Sequence, residues 1–112
     1  GDPLFDVATL LSYWTEASDP PELLEFGQMP TAEPGFFSRR DVLDAYARET
    51  GRDVSDFLFH RVLCMFKLAV VLLQLHQRYR RGITKDERFA PLGRIANGVL
   101  TFTKEIADGR AF

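Results

Sequence analysis

Several features common in small proteins are scarce in this 112-residue chain. It has one cysteine, Cys64, so an internal disulfide is excluded, and the thiol lies in an apolar stretch that predicts packing within a core. The only basic cluster is Arg78, Arg80 and Arg81, and the net charge of -2 disfavours nucleic acid as the main partner. A signal-peptide pattern is also lacking. With the single cysteine, this predicts a cytoplasmic protein.

Apolar residues are abundant in one stretch, from Asp53 to Arg81. Its middle reads VLCMFKLAVVLLQL, and no proline or glycine interrupts it before Gly82. The stretch predicts a long central helix that is apolar on nearly every side. A membrane span needs about 20 consecutive apolar residues. Because Arg61 and Lys67 interrupt the run, we expect a core helix and no membrane partner.

Helical spacing of apolar residues recurs along the rest of the chain, and alternation typical of strands does not. The pattern predicts an all-α fold, a bundle of four to five helices around the central helix at about 53–81, formed by a single domain, 1–112. We expect three leucines of the central helix to be buried: Leu68, Leu72 and Leu75. We also expect one stripe of the last helix to be buried: Leu92, Ile95, Ala96, Val99, Phe102 and Ile106.

A proline- and glycine-rich connector, residues 18–37, joins the first helix to the next long one. A connection of this length is usually functional or packed down. We expect an ordered loop pinned by apolar anchors: Leu23, Leu24, Phe26, Met29, Phe36 and Phe37. The alternative is a surface loop without a function of its own.

Polar side chains repeat every seven residues along the central helix at His60, Lys67 and Gln74, which places them in one narrow seam. Lys67 can offer a cation to an anionic substrate group, or it can extend along the core and reach water or a carboxylate. His60 is a ligand or, more simply, a hydrogen-bonded histidine. No Cys, His, Asp or Glu cluster has metal-ligand spacing, so no metal site is expected.

Six short motifs resemble one known family. The motifs are GDPxxD, WTE, DPPEL, PGFxSR, YxxxTGRD and DERF. Together they resemble the C-terminal helical part of the aminoglycoside-phosphotransferase-like kinases, in the branch associated with acyl-CoA dehydrogenases. The resemblance covers about nine tenths of the chain. It implies a fragment of a longer kinase-like phosphotransferase, in which these residues form the C-terminal subdomain of a protein-kinase-like fold.

The resemblance also implies site residues. Asp6 matches the acid that anchors the catalytic loop of these kinases, and Asp2 lies in the turn that follows the metal-binding strand. The connector borders the acceptor side, and the candidates for lining the substrate cleft are Trp14, Phe36, Phe37, His60 and Lys67. The phosphate-covering loop, the nucleotide-binding lysine, the catalytic His-Gly-Asp loop and the metal-binding acid all lie upstream in the family. This chain therefore contains no catalytic residue of its own, and ATP and Mg²⁺ belong to the intact parent.

The function implied is transfer of the ATP γ-phosphoryl group to a small-molecule hydroxyl, and the acyl-CoA dehydrogenase association suggests a hydroxyacyl-CoA acceptor. The 112-residue chain alone should be inactive, because the parts that position phosphates and metal are upstream. Its partners should be the missing N-terminal catalytic half and a second copy, since three other helices cannot cover the central helix. The alternatives are a stand-alone helical binding or assembly module and a small-molecule binder that uses the aromatic loop.

Overall fold

A computed structural model describes residues 2–112 and shows five α-helices and no strand among them. The helices are α1 (Pro3–Tyr13), α2 (Pro21–Phe26), α3 (Arg39–Thr50), α4 (Phe57–Arg80) and α5 (Leu92–Ala107). Short 3₁₀ turns occupy Pro30–Ala32 and Glu87–Phe89. The all-α prediction is confirmed, and the number of helices lies within the predicted range.

Local sequence explains the starts of α1 and α3. The Asp2 side chain accepts a hydrogen bond from the Leu4 N–H at 2.9 Å and caps α1, and Pro3 occupies the first helical position. At α3, Ser38 and Asp41 form a reciprocal capping box. The left-handed Gly51, with a φ of 67°, ends that helix. Each of these signals is local and could be recognised in the sequence.

The predicted bounds of the central helix, 53–81, were too wide. The helix begins at Phe57 and ends at Arg80, and the preceding Asp56 makes no side-chain capping bond. The Asp53 carboxylate instead accepts a hydrogen bond from the Ser55 N–H at 2.9 Å, which stabilises a turn before the helix. This local competition between a side chain and the helical ladder moves the start four residues downstream.

The larger core joins α4 to α5. All six residues of the predicted α5 stripe are buried. They pack on Leu23 of α2 and on four residues from the inner face of α4: Met65, Leu68, Ala69 and Leu72. Burial of Leu68 and Leu72 is confirmed, whereas Leu75 is only partly buried at the edge of the core. The helical period therefore predicts this core almost completely.

Two glycines of α5 allow its neighbours to approach closely. A Cβ at Gly93 would lie 2.7 Å from the ring of His76, and a Cβ at Gly98 would lie 2.5 Å from the Glu22 Cβ. Glycine lowers intrinsic helicity by about 1 kcal/mol relative to alanine. Here that cost is offset by the contact of α5 with α4 on one side and with α2 on the other.

A second core lies at the other end of α4, where it meets α1 and α3. Its buried residues are Leu4, Ala8, Leu11, Leu43, Phe57 and Cys64. The thiol of Cys64 is 3.6 Å from the Thr9 hydroxyl, and the predicted packed cysteine is confirmed. The two cores place α1 and α5 against different sides of α4.

The remaining side of α4 is exposed. Its large apolar side chains are 39–68% exposed: Leu58, Phe59, Leu63, Phe66, Val71 and Leu73. The sequence predicted burial on several sides, which holds for the sides that face α1 and α5, and it also predicted that one apolar side would stay uncovered. The covering helices are too few, as the apolar excess of α4 suggested. We refer to Phe59, Leu63, Phe66, Val70 and Leu73, which share one side of the helix, as the outward face of α4; Leu58 and Val71 flank it.

The molecule is elongated along α4. Its extents are 49 × 31 × 24 Å, and its radius of gyration is 15.0 Å, compared with roughly 13 Å for a compact domain of about 100 residues. A 24-residue helix spans about 36 Å, so α4 alone accounts for most of the long axis.

By length and composition alone, α4 could cross a membrane, although 33% of its most apolar segment is buried inside the protein. Core helices of soluble proteins meet the same criteria, so these properties do not establish insertion. The helix also carries Arg61, which is almost fully buried against other parts of this chain. A compact globule with α4 at its centre is compatible with a soluble protein.

Candidate functional site

The most ordered polar feature is a junction between the end of α1, the connector and the start of α3. Arg39 is 3% exposed. Its guanidinium donates to both Asp19 carboxylate oxygens, at 2.9 and 2.6 Å, and to the Trp14 carbonyl at 2.7 Å. Its backbone N–H donates to the Glu16 carboxylate at 2.8 Å. Two-pronged pairing of this kind fixes direction as well as distance.

A pair of threonines extends this junction into the connector. The Thr31 hydroxyl donates to the Thr15 carbonyl at 2.8 Å and accepts from the Thr15 N–H at 2.7 Å. The Thr15 hydroxyl in turn lies 3.3 Å from the Met29 carbonyl. These bonds fasten the middle of the connector to the end of α1. The connector is ordered, as predicted, but polar contacts hold much of it.

Arg61 lies deeper, between α1 and the C-terminal segment. It donates to the Phe112 carbonyl at 2.8 Å and to the Leu11 carbonyl at 3.2 Å, while Nη2 has no protein partner. Burial, followed by the nearby Arg39 charge, lowers the pKa of Arg61 to about 9. The Phe102 ring lies beside both guanidinium groups, at 5.7 Å from Arg39 and 6.0 Å from Arg61.

An open cleft of about 690 Å³ adjoins the junction. Its charged lining combines three arginines and three acids: Arg39, Arg40, Arg110, Glu16, Asp19 and Glu105. Because the buried charges among them are already paired, the cleft offers no concentrated charge of one sign. Within residues 2–112, no three His, Cys, Asp or Glu side chains are placed to hold a metal ion.

A second polar group lies at the rim where α1 meets α4. The His60 ring is 3.1 Å from the Asp2 carboxylate through Nε2 and 3.3 Å from the Asp56 carbonyl through Nδ1. Its edge faces Phe5, with ring centroids 6.4 Å apart. Lys67 is exposed, and its ammonium lies 5.8 Å from the centre of the Phe5 ring. His60 is thus a hydrogen-bonded histidine.

The aromatic candidates occupy the opposite end of α1. The Trp14 indole N–H donates to the Phe37 carbonyl at 2.8 Å, which ties the end of the connector to α1. The Phe36 and Phe37 rings are 50% and 69% exposed. Their predicted role as apolar anchors is wrong, because the backbone of Phe37 makes the attachment while both rings face solvent.

The five predicted cleft residues therefore form two groups. His60 and Lys67 lie near the start of α1, whereas Trp14 follows its last turn with Phe37. An 11-residue helix separates these ends by about 16 Å. A small molecule could contact one group, and a substrate reaching both would need to extend along α1.

The two acids assigned to anchoring differ in their availability. Both carboxylate oxygens of Asp2 are used within this chain, one by the Leu4 N–H and the other beside His60. Asp6 is exposed on the first turn of α1, and no ion pair described for residues 2–112 involves it. Among residues 2–112, Asp6 is thus the one of these two acids whose carboxylate is available to hold another segment.

The buried charges are not predicted by the sequence patterns. Arg39 and Asp19 lie within two of the motifs without any pattern that marks them, and Arg61 stands out only as an interruption of the apolar run. Arginine and aspartate are seldom fully buried unless paired, so in a single sequence both are expected to be exposed. The available signal was the proximity of Asp19 and Arg39 to prolines and glycines that compact the connector.

Comparisons with protein families, curated proteins and solved structures found no match to this chain. Because no family is shown, the resemblance of the motifs to the kinase family supports a proposal of function and nothing more definite.

Proposed function

We propose that this chain is the C-terminal, substrate-side helical part of a cytoplasmic ATP-dependent phosphotransferase similar to the aminoglycoside-phosphotransferase-like kinases. The intact protein would transfer a phosphoryl group to a small-molecule hydroxyl, and a hydroxyacyl-CoA is the proposed acceptor. The upstream catalytic half would bind ATP and Mg²⁺, which neutralise and position the phosphates. The present chain would bind neither by itself.

One observation carries this proposal. Three of the motifs that resemble the kinase family contribute to a single buried network. WTE supplies Glu16, DPPEL supplies Asp19, and PGFxSR supplies Arg39. The Arg39 backbone N–H donates to Glu16 and its guanidinium donates to Asp19, through hydrogen bonds of 2.6–2.9 Å. Separate motifs that converge on one set of contacts support their origin in one structural unit. They also have a physical role, which is to hold the connector against α1 and α3.

Asp6 has a specific part in this proposal. Its exposed carboxylate can accept hydrogen bonds from the backbone N–H groups of an adjacent loop. Hydrogen bonds to a charged acceptor are stronger than those to a neutral one. In the resembling kinases, the matching acid holds the catalytic loop. Asp6 would therefore be a positioning residue for a loop of the upstream half, and His60 and Lys67 would lie on the same rim.

A first test reads the complete open reading frame that contains this chain. The proposal expects an upstream glycine-rich loop and a His-Gly-Asp motif followed by a metal-binding acid. A start codon close to Gly1 would contradict it and favour the second candidate, a stand-alone helical binding or assembly module. The exposed outward face of α4 is the observation that favours that candidate.

A second test uses the intact enzyme and the Asp6→Asn variant. Phosphoryl transfer from ATP to a panel of hydroxyacyl-CoA and other hydroxyl acceptors would be followed by mass spectrometry. We expect the variant to lose turnover while its ATP affinity changes little, because the loop loses a charged acceptor and the nucleotide site does not. Wild-type turnover in the variant would exclude the anchoring role. Asp44→Asn, at an exposed acid of α3, is the matched control.

A further inference from the structure

The outward face of α4 has a regular spacing. Five apolar residues follow one another at alternating intervals of four and three: Phe59, Leu63, Phe66, Val70 and Leu73. All are exposed except Val70, which is half-buried. This is the spacing of a coiled-coil seam, in which side chains of one helix insert between those of another. The surface that fits such a row is therefore a second apolar helix.

Two grooves continue along this face. One of about 480 Å³ runs beside Leu58–Phe66 and is closed on one side by Thr103 and Ala107 of α5. The next, of about 630 Å³, runs beside Val70–Arg81. Because the two grooves follow each other along α4, together they match the shape of a helix and are longer than a small molecule requires.

The exposed area is about that of half an interface. The chain has 7051 Å² of accessible surface. A folded monomer of 12.8 kDa is expected to expose about 6,300 Å², so the excess is about 750 Å². A standard protein–protein interface buries about 800 Å² on each partner. One helix-to-helix contact along α4 would remove the excess.

The charges at the two ends of α4 indicate which helix fits. Asp53 and Asp56 are exposed before its first turn, and Arg78, Arg80 and Arg81 are exposed at its last. An antiparallel copy of the same helix would place each acidic end beside the basic end of its partner. The helix dipoles would also be opposed, which is favourable. Such an arrangement is self-complementary, as two-fold symmetry requires.

We propose that two copies of this chain pair antiparallel through the outward face of α4, with Leu63, Phe66 and Val70 at the centre of the contact. The inference does not rest on the phosphotransferase proposal, because it uses only the surface of the 112-residue chain. Each copy would contribute the same residues, and the two-fold axis would cross α4 near its middle.

The test is sedimentation equilibrium of the purified 112-residue chain at micromolar concentration. We expect twice the 12.8 kDa chain mass. Phe66→Glu should raise the dimer dissociation constant at least a hundredfold, because it places a charge in the centre of the contact on both copies. Leu24→Glu, at a leucine of α2 that is 40% exposed, should leave the dimer intact. Circular dichroism would verify that both variants remain folded.

Charge reversal tests the orientation. Asp56→Lys and Arg80→Glu should each weaken the dimer about threefold to tenfold, since each breaks two exposed pairs, and the double variant should restore it. A wild-type monomer would overturn the proposal. A dimer insensitive to Phe66→Glu would also overturn it, as would a monomer whose outward face binds phospholipid vesicles. Failure of the double variant to recover would overturn the antiparallel arrangement.

Discussion

Two regions beside α4, the apolar core that it forms with α5 and the polar junction around Arg39, are held together by different physical means. Toward its C-terminal half, α4 packs on α5 through a seam of aliphatic residues, a methionine and one phenylalanine. Near its N-terminal half, the end of α1, the connector and α3 meet around Arg39, Asp19 and Glu16, with Arg61 buried nearby. The first region gains stability from the burial of apolar surface. The second depends on matched charges and hydrogen bonds.

This difference affects how each region tolerates change. An apolar seam loses stability in proportion to the volume removed, and its surroundings can partly relax. A buried ion pair gives little net stability over apolar residues of the same size, but removal of one partner leaves an uncompensated charge. The polar junction should therefore respond abruptly to single substitutions, and the seam gradually.

The largest expected effect is at the polar junction. Asp19→Ala leaves the Arg39 guanidinium buried without its two-pronged acceptor, so it should reduce the free energy of unfolding by about 3–5 kcal/mol. Urea denaturation followed by circular dichroism would measure it.

The matched control for that variant replaces both partners. Asp19→Leu combined with Arg39→Met removes both charges, so its loss should be clearly smaller than that of Asp19→Ala. A loss of under about 1 kcal/mol for Asp19→Ala would mean that the junction is solvated, and the comparison between the two regions would fail.

The next effect compares two neighbouring leucines of α4, one buried and one exposed. Leu72 is 2% exposed and Leu73 is 39% exposed. Leu72→Ala should cost about 2–5 kcal/mol, as deletions in packed cores do, whereas Leu73→Ala should cost under about 1 kcal/mol in the dissociated monomer. Thermal and urea unfolding at low protein concentration would measure both. Equal losses would show that the assignment of inner and outward faces is incorrect.

The smallest effect concerns the contact between α2 and α5. An alanine at Gly98 would gain about 1 kcal/mol of helix propensity. Its Cβ would meet Glu22 at 2.5 Å, and overpacking typically costs about 1–3 kcal/mol. We therefore expect Gly98→Ala to be neutral or destabilising by up to about 2 kcal/mol.

Glu22→Ala in the Gly98→Ala background tests the cause. It removes two of the three crowded atoms of Glu22, Cγ and Cδ, and leaves the contact with Cβ, so it should recover only part of the propensity gain. Differential scanning calorimetry would compare the single and double variants. Stabilisation by Gly98→Ala alone would show that α2 can move away from α5 at little cost and contributes little to the core between α4 and α5.

The sequence predicted the apolar region far better than the polar one. Helical spacing identified every buried residue of the α5 stripe and the inner position of Leu72, because period and burial are linked directly. It could not show which side of α4 would remain uncovered. That depends on how many helices pack around α4, which is a property of the tertiary arrangement.

The polar junction was less predictable for a specific reason. Asp19 and Arg39 are 20 residues apart, and their pairing requires that the connector fold back on α1. Single-sequence patterns report local period and capping, and they hold little information about such a closure. The phenylalanines of the connector were more conspicuous, yet Phe36 and Phe37 face solvent. At the candidate rim, the sequence indicated His60 and Lys67 but could not indicate that Asp2 and Phe5 contact them.

The hydrogen bond between Trp14 and Phe37 has a practical consequence. Trp14 is the only tryptophan in the chain, and its indole N–H bonds to the far end of the connector at 2.8 Å. Indole emission is sensitive to hydrogen bonding and to contact with water. Release of the connector from α1 would therefore change the fluorescence of a single intrinsic chromophore, and the opening or closing of this loop can be followed without any added label.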